Sequence, residues 1–371
     1  MRFRQFAAVV GLAVALLSMG TGTAAAVDRA VSARVDCTSG SGGAVRELRV
    51  PIGRATAPTV HAAGRRVVVL ARRSAGSSTS IVGVVLDCTR RRWTAMPDAP
   101  FPSDLASRGV VWTGRELLVV GVPCSPDYTD VDLRKCDPPY VRAAAWSPRT
   151  NRWRTVRLTG SSFGARRWPA GTTTVGLGMN VRGAVFEFEV SGGARLAFVD
   201  PRTGATKVTE RFGHDLTPCV ADGRVTLSRG DGVTRVLSYS GWSTGSAPAA
   251  GSVRVECGHG MLTASPQLPR TAGVEDAIQA FDPYVSRWKA LPPSPVAGYP
   301  GDAIAAPGAV IALAFGSPPS VWTTDIASGW RAHPLPPGWS GLDARSSPQA
   351  AGLRFVVAPS GGRPRIGILT P

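Results

Sequence analysis

Lysine, histidine and acidic residues are all scarce in this chain. Three of its 42 basic residues are lysines (Lys135, Lys207 and Lys289), four residues are histidines, and 25 acids stand against the bases, for a formal charge of +17. Arginine in place of lysine, with abundant Ala, Gly and Val, is a high-GC bacterial composition, so part of the arginine content is genomic. The shortage of acid has no such origin. A charge of this size favours association with anionic polymers, which outside a bacterium are envelope phosphates and uronic acids. No helix-turn-helix, zinc-finger or nucleic-acid-binding aromatic motif accompanies the charge, so no nucleic-acid partner is expected.

Other features are missing as well. The six cysteines contain no C-x-x-C pair and lie far apart, which argues against a zinc site and for disulfides in an exported protein. No segment after the N-terminus shows sustained helical periodicity. The only long apolar run is Phe6–Met19, behind Arg2 and Arg4 and ahead of Ala24-Ala25-Ala26. That is the layout of a secretory signal peptide over residues 1–26, too short for a membrane anchor. With neither a paired arginine nor a lipobox cysteine beside it, a Sec-type leader and a secreted, monomeric product without transmembrane segments are expected.

What the chain does have is repetition. "VVLDCTRRRWTAMPDAP" (84–100), "AAWSPRTNRWRTVRL" (144–158), "LAFVDPRTGATKVTERF" (196–212), "VLSYSGWSTG" (236–245), "AIQAFDPYVSRWKALPP" (277–293) and "VWTTDIASGWRAHPLPPG" (321–338) are variants of one phrase. Each reads as a strand, a polar turn, and a second strand entered through Trp or a substitute. Asp or Ser caps the turn, Pro presets its φ, and Asn or Gly tolerates the left-handed position. Ahead of the phrases stand hairpins turning at Gly64, Gly114, Gly183, Gly223, Gly260, Gly308 and Gly352. The first strand of each hairpin is small and lightly polar. The second is rich in Val, Leu and Phe, as a strand buried on both faces must be.

The unit therefore has four strands, here a, b, c and d. Repeated every ~40–50 residues, it predicts an all-β fold: a β-propeller of seven blades, six being the alternative count, formed by residues 27–371 as one domain. Two stacked sandwiches would explain strands but not their recurring order. "FDPYVSRW", "WSPRTNRW" and "VDPRTGAT" resemble the c–d turn of the kelch repeat, with the paired glycines surviving as Gly192-Gly193 and Gly361-Gly362. That resemblance implies a propeller of the galactose-oxidase type and no particular activity.

Only 19 residues follow Gly352, room for strands b and c of a last blade. "VDCTSGSGGAVRELRVP" (35–51) has the outline of 86–97 and is the candidate to complete that blade, burying Val45, Leu48 and Val50 and removing an open edge. Cys124 and Cys136 share one loop and are expected to pair. Cys219 and Cys257 fall on neighbouring inner strands, which leaves Cys37 with Cys88 by elimination; three pairings of these four remain possible.

The b–c and d–a loops should surround the channel mouth. Arg54, Asp104, Arg108, Arg166, Arg167, Trp168, His214, Asp215, Tyr299, Asp302, Asp343 and Arg345 fall there. Arginines with aromatics in a ring suit a carboxylate, phosphate or sulfate, and the binding residues expected are Arg166, Arg167, Trp168, His214, Asp215, Tyr299, Asp302 and Arg345. His214 beside Asp215 has the elements of acid–base work, although neighbours on a strand point apart. The copper chemistry of galactose oxidase needs two tyrosines and two histidines at one mouth, and His61, His214, His259 and His333 are not so placed. Sialidase Asp boxes are absent, and no serine sits in a nucleophile elbow. The acidic excursion 122–141, with Asp127, Asp130, Asp132 and Asp137, lacks EF-hand spacing and reads as a stapled loop. No cofactor or metal is expected. The function expected is non-enzymatic binding of an anionic envelope or glycan polymer, or of a protein, at the loop-rich face. An extracellular polysaccharide hydrolase or lyase is the alternative.

Overall fold

The computed structural model describes residues 35, 37, 46–53, 55–75, 78–100, 107–122, 142–160, 174–190, 192–209, 211–238, 241–248, 253–258, 261–266, 278–292, 301–306, 309–314, 320–324, 329–336, 355–357 and 365–369. The regular elements among them are all strands. β1 (Arg46–Arg49) opens the chain. The first sheet is β2 (Thr56–Ala63), β3 (Arg66–Ala75), β4 (Ser78–Asp87) and β5 (Arg92–Ala95). The second is β6 (Ser107–Trp112), β7 (Leu117–Val122), β8 (Arg142–Ser147) and β9 (Arg152–Val156). The third is β10 (Thr174–Asn180), β11 (Gly183–Val190), β12 (Gly193–Val199) and β13 (Thr206–Val208).

The fourth sheet is β14 (Leu216–Ala221), β15 (Arg224–Arg229), β16 (Thr234–Ser238) and β17 (Gly241–Thr244). The fifth is β18 (Val253–Gly258), β19 (Met261–Pro266), β20 (Gln279–Asp282) and β21 (Arg287–Ala290). The sixth is β22 (Gly301–Ala306), β23 (Ala309–Ala314), β24 (Ser320–Thr324) and β25 (Trp330–Pro334). Each is an antiparallel meander in chain order. The last sheet runs β1-β27-β26, from β26 (Phe355–Val357) and β27 (Arg365–Leu369). The expected N-terminal closure is thus present: Arg46 pairs with Ile368 and Arg49 with Arg365, Leu48 packs on the neighbouring core, and Val50 is buried. Val45, and the stretch before Gly352 where the inner strand of this sheet was expected, lie outside the described residues.

The core lies between sheets. One cluster joins β1 and β27 to the first sheet, through Leu48, Val50, Ile52 and Ile366 against Val67, Val69, Val84 and Trp93. Others join the first to the second, the second to the third, the third to the fourth and the fourth to the fifth. Strand b of the first and second sheets is consequently buried on both faces: Val67–Ala71 and Leu117–Val120 are essentially inaccessible. Outer strands such as β17 and β21 are mostly exposed. The inner strands touch in succession, β2 on β6, β6 on β10, β10 on β14, β14 on β18 and β18 on β22. Where β6 meets β10 the backbones nearly touch. A Cβ at Gly109 would lie 2.9 Å from the Gly176 amide nitrogen, and one at Gly176 would lie 2.6 Å from that of Val110. That crowding is why the inner strands are built of small residues.

The recurring phrase now has a physical account. Its turn ends on a left-handed residue at Arg91, Asn151, Gly204 and Ser286, with φ of 52°, 51°, 75° and 54°. The Asp that opens the turn accepts from the amides it encloses, as Asp282 does from Tyr284 at 2.8 Å and Val285 at 3.3 Å. The Trp after the turn reaches back to the preceding sheet. Trp153 donates to Pro97 O at 2.9 Å and Trp330 to Pro292 O at 2.8 Å, while Trp288 donates to Gly232 O at 3.1 Å. Pro97 and Pro292 close the phrase of the blade before, so each closing proline presents a carbonyl to the next blade. One detail differs from the sequence reading: Val181 and Arg182 form the third a–b turn, and Gly183 begins β11.

Two of the expected disulfides are present. Cys37–Cys88 joins the N-terminal segment to the c–d turn of the first sheet, with Cα atoms 5.5 Å apart, and Cys219–Cys257 joins β14 to β18 at 5.3 Å. Cys124 and Cys136 lie outside the described residues. Deleting residues 27–51 is expected to lower the melting temperature well beyond the effect of Cys37→Ser/Cys88→Ser. The double variant should cost about 2–5 kcal/mol; the deletion also removes the β1 partner from one edge of β27 and uncovers Ile366. A deleted chain that melts with the full chain in thermal denaturation would remove the closure.

Candidate functional site

Alternating strand direction sorts the connections by end. The a–b and c–d turns emerge at one end of the ring, and the b–c and d–a loops at the other. Of the residues expected at the loop-rich end, Arg54, Asp104, Arg166, Arg167, Trp168, Tyr299, Asp343 and Arg345 lie outside the described residues. Arg108 is the second residue of β6, opposite Gly121. Asp302 stands in β22 where the register shifts between Gly301 and Ala303. His214 and Asp215 are both exposed, just ahead of β14. Asp215 contributes to the field on Arg229, whose guanidinium is pushed above its ordinary range chiefly by its hydrogen bond to Asp231. The described part of this end therefore brings His214 and Asp215 close in sequence and joins Asp215 electrostatically to the b–c turn of the fourth sheet.

Gly241-Trp242-Ser243-Thr244-Gly245 does carry the letter spacing of a hydrolase elbow, which the sequence reading passed over. Its surroundings are wrong for one. Ser243 lies on the outer strand β17 and donates its hydroxyl to Val236 O at 3.3 Å, on the neighbouring strand. An elbow needs a sharp strand-to-helix turn.

The turn end is where described arginines gather. Arg65, Arg115 and Arg182 stand in a–b turns; Arg90, Arg91, Arg149 and Arg202 stand in c–d turns, and Arg92, Arg152 and Arg287 open the d strands that follow. All of these are exposed. The acids among them are already engaged. Asp87 accepts from Arg66 Nε at 3.2 Å and from the Arg90 amide at 3.0 Å. Glu116 takes Arg154 Nε at 3.0 Å and Nη2 at 2.5 Å, and the same guanidinium donates to Pro201 O at 2.6 Å, across to the third sheet. Asp200 accepts from the Arg202 amide at 2.8 Å. Among the described residues no carboxylate lies within ion-pairing reach of Arg91, Arg92, Arg115, Arg149, Arg152, Arg202 or Arg287.

These turns are interlocked from blade to blade. Arg182 Nη2 donates to Ser238 O at 3.2 Å, and its guanidinium lies 6.0 Å from the Phe198 ring. Arg224 stacks 4.5 Å over Tyr284, whose hydroxyl donates to Asp222 O. Between the a–b turn of the second sheet and the two turns of the third is a groove of about 400 Å³, walled by Thr113, Arg115, Glu116, Asn180, Arg182, Asp200 and Arg202 among others. The binding residues expected from the sequence were placed at the other end, most of them outside the described residues, and do not include these. Their signal was legible: Arg recurs beside the turn in "TRRRW", "PRTNRW", "DPRTG" and "VSRW".

No protein-family model matches the sequence, and no curated protein matches it. The likenesses are to solved structures. The β-propeller domain of the Trilobed protease from Pyrococcus furiosus, described as having an open velcro topology, is 7% identical with a TM-score of 0.53, over 85% of this chain and 94% of that one. YCF48 bound to D1 peptide is 12% identical, with a TM-score of 0.50, over 91% and 100%. Pyrococcus horikoshii acylaminoacyl peptidase is 10% identical with a TM-score of 0.52, over 86% of this chain and 52% of that one. At these identities the likeness is one of fold, and the fold is a β-propeller.

Asp87 makes the turn end sensitive to acid. Burial, the largest single influence, pushes its pKa up; the Arg90 amide, the Arg66 hydrogen bond and the charges of both arginines together outweigh it and hold the group below the ordinary aspartate value. Its contribution is therefore complete above that ordinary value and is lost as pH falls through the lower folded one. Asp87→Asn is expected to cost about 1–3 kcal/mol at neutral pH. As pH falls below the ordinary aspartate value the difference between the two should narrow, as chemical denaturation at pH 7 and pH 3 would measure.

Proposed function

We propose that this protein is an exported propeller that binds anionic envelope or glycan polymers without transforming them. The observation that carries the reading is the turn end: exposed guanidinium groups held on short, interlocked turns, with Asp87 and Glu116 already paired. Arginine presents a planar fork of donors to carboxylate, sulfate or phosphate, and it is more weakly hydrated than lysine. Rigid turns lower the ordering cost of using it.

Export is part of the proposal. The leader-like residues 1–26 precede a chain whose two described disulfides suit an oxidising compartment. No helix among the described residues is long and apolar enough to cross a membrane. The mature chain, 27–371, acts as one domain and as a monomer, and its degenerate repeats are of kelch type. YCF48 is a propeller with a bound peptide, so a protein ligand here is an outcome the test must admit.

Binding of the mature protein to a polyuronate and to a poly(glycerol phosphate) is expected at about 0.05 M salt and should weaken at least ~10-fold by about 0.5 M. Polymer chain length, followed by size-exclusion chromatography, should stay constant. Salt-independent binding would sink the electrostatic reading, and progressive shortening of the polymer would replace it with the hydrolase or lyase.

A further inference from the structure

We infer that the anion-binding surface is the turn end rather than the loop-rich mouth, and that the groove between the second and third sheets is its principal subsite, taking one oxyanion of a polymer that carries them repeatedly. This rests on the reading of the protein as a polyanion binder and adds where the polymer sits. Three arginines approach the groove from three separate turns: Arg115 from the a–b turn of the second sheet, Arg182 from that of the third, and Arg202 from the c–d turn of the third.

Of the two carboxylates in the wall, Glu116 is paired with Arg154, and Asp200 offsets the three arginines only in part, through the charge of Arg202. Both oxygens of Glu116 are taken by Arg154. Oδ1 of Asp200 accepts from the amides of Arg202 and Thr203. Arg182 spends one donor on Ser238 O, and the guanidinium groups of Arg115 and Arg202 make no hydrogen bond or ion pair among the described residues. Cations of one sign that converge on a concave surface raise the local concentration of anions there. A volume of about 400 Å³ falls in the range of small-ligand pockets. Exposed arginines continue on the second sheet beside the groove, at Arg149 and Arg152, so a chain with one oxyanion held here would meet further cations along the face. Among the described residues the groove is walled by no aromatic side chain, so charge rather than ring stacking selects the ligand, and the oxyanion is a carboxylate or a phosphodiester.

The test measures a polyuronate, a poly(glycerol phosphate) and neutral dextran against four proteins. They are the parent, Arg115→Gln/Arg202→Gln, Arg115→Gln/Arg182→Gln/Arg202→Gln, and Arg195→Gln/Arg229→Gln/Arg235→Gln. The last removes equal charge near the b–c turns at the opposite end. The double variant leaves the Arg182 bond intact and serves if the triple variant melts early. The triple variant should lose about 20-fold in affinity, from several exposed contacts each worth a few-fold, and its salt dependence should flatten. The opposite-end variant should change less than about threefold. A stronger response to the polyuronate than to the phosphodiester polymer identifies a carboxylate, and the reverse a phosphate; either supports the subsite. Equal losses in the two triple variants would mean that only net charge matters and would overturn it, as would a parent-like groove variant. Dextran binding as tight as that of the charged polymers would also overturn it. A parent that binds no charged polymer would bring down the function itself along with the subsite.

Discussion

Every sheet in this molecule has two faces to bury and too few layers of its own to do it. Strand b of the first and second sheets, at Val67–Ala71 and Leu117–Val120, is enclosed on both sides, and the enclosing side chains come from the sheets before and after. A row of such sheets would leave apolar faces bare at both ends, so the row must close. The pairing of Arg46–Arg49 with Arg365–Leu369 performs that closure, by backbone hydrogen bonds between the two ends of the chain. Ile366 and Leu48 then seal the last sheet against the first.

Closure also explains the tryptophans. A Trp on an outer strand has more apolar surface than its own sheet can cover, and its indole N–H needs an acceptor when half-buried. Trp153 and Trp330 find both in the preceding blade, where a proline carbonyl stands at the end of the previous phrase. The same logic governs the polar turns. A left-handed residue must follow the Asp-led turn, and Asn, Gly or Ser occupies it in most blades, but Arg91 occupies it in the first. The turn geometry is thus held by neighbouring hydrogen bonds strongly enough to place an arginine in a conformation it seldom adopts.

Rigid turns on a closed ring change what a surplus of arginine can do. Scattered on flexible loops, such charges would raise solubility and little else. Set on interlocked hairpins, with Glu116 and Asp87 taken up by ion pairs, they can act together on one ligand. The likeness to propellers of a protease, a peptidase and a peptide-bound protein extends to architecture alone, and the chemistry of each site lies in residues the fold does not dictate.

The strand order, the repeat and the closing role of residues 35–51 were legible because they are properties of pattern: small inner strands, apolar second strands and turn residues each have a local physical cause. The disulfides were partly legible, since position in the repeat puts Cys219 and Cys257 on adjacent inner strands, while Cys37 and Cys88 were paired by elimination. Which of the described turn arginines stand unpaired was not legible. An arginine at a turn looks the same in sequence whether its guanidinium is consumed by a carboxylate, as Arg154 is by Glu116, or left exposed, as those of Arg115 and Arg202 are. That distinction depends on side chains brought together from strands far apart in the chain. Such partners meet only when the sheets are stacked into a ring, and so only the tertiary structure decided it.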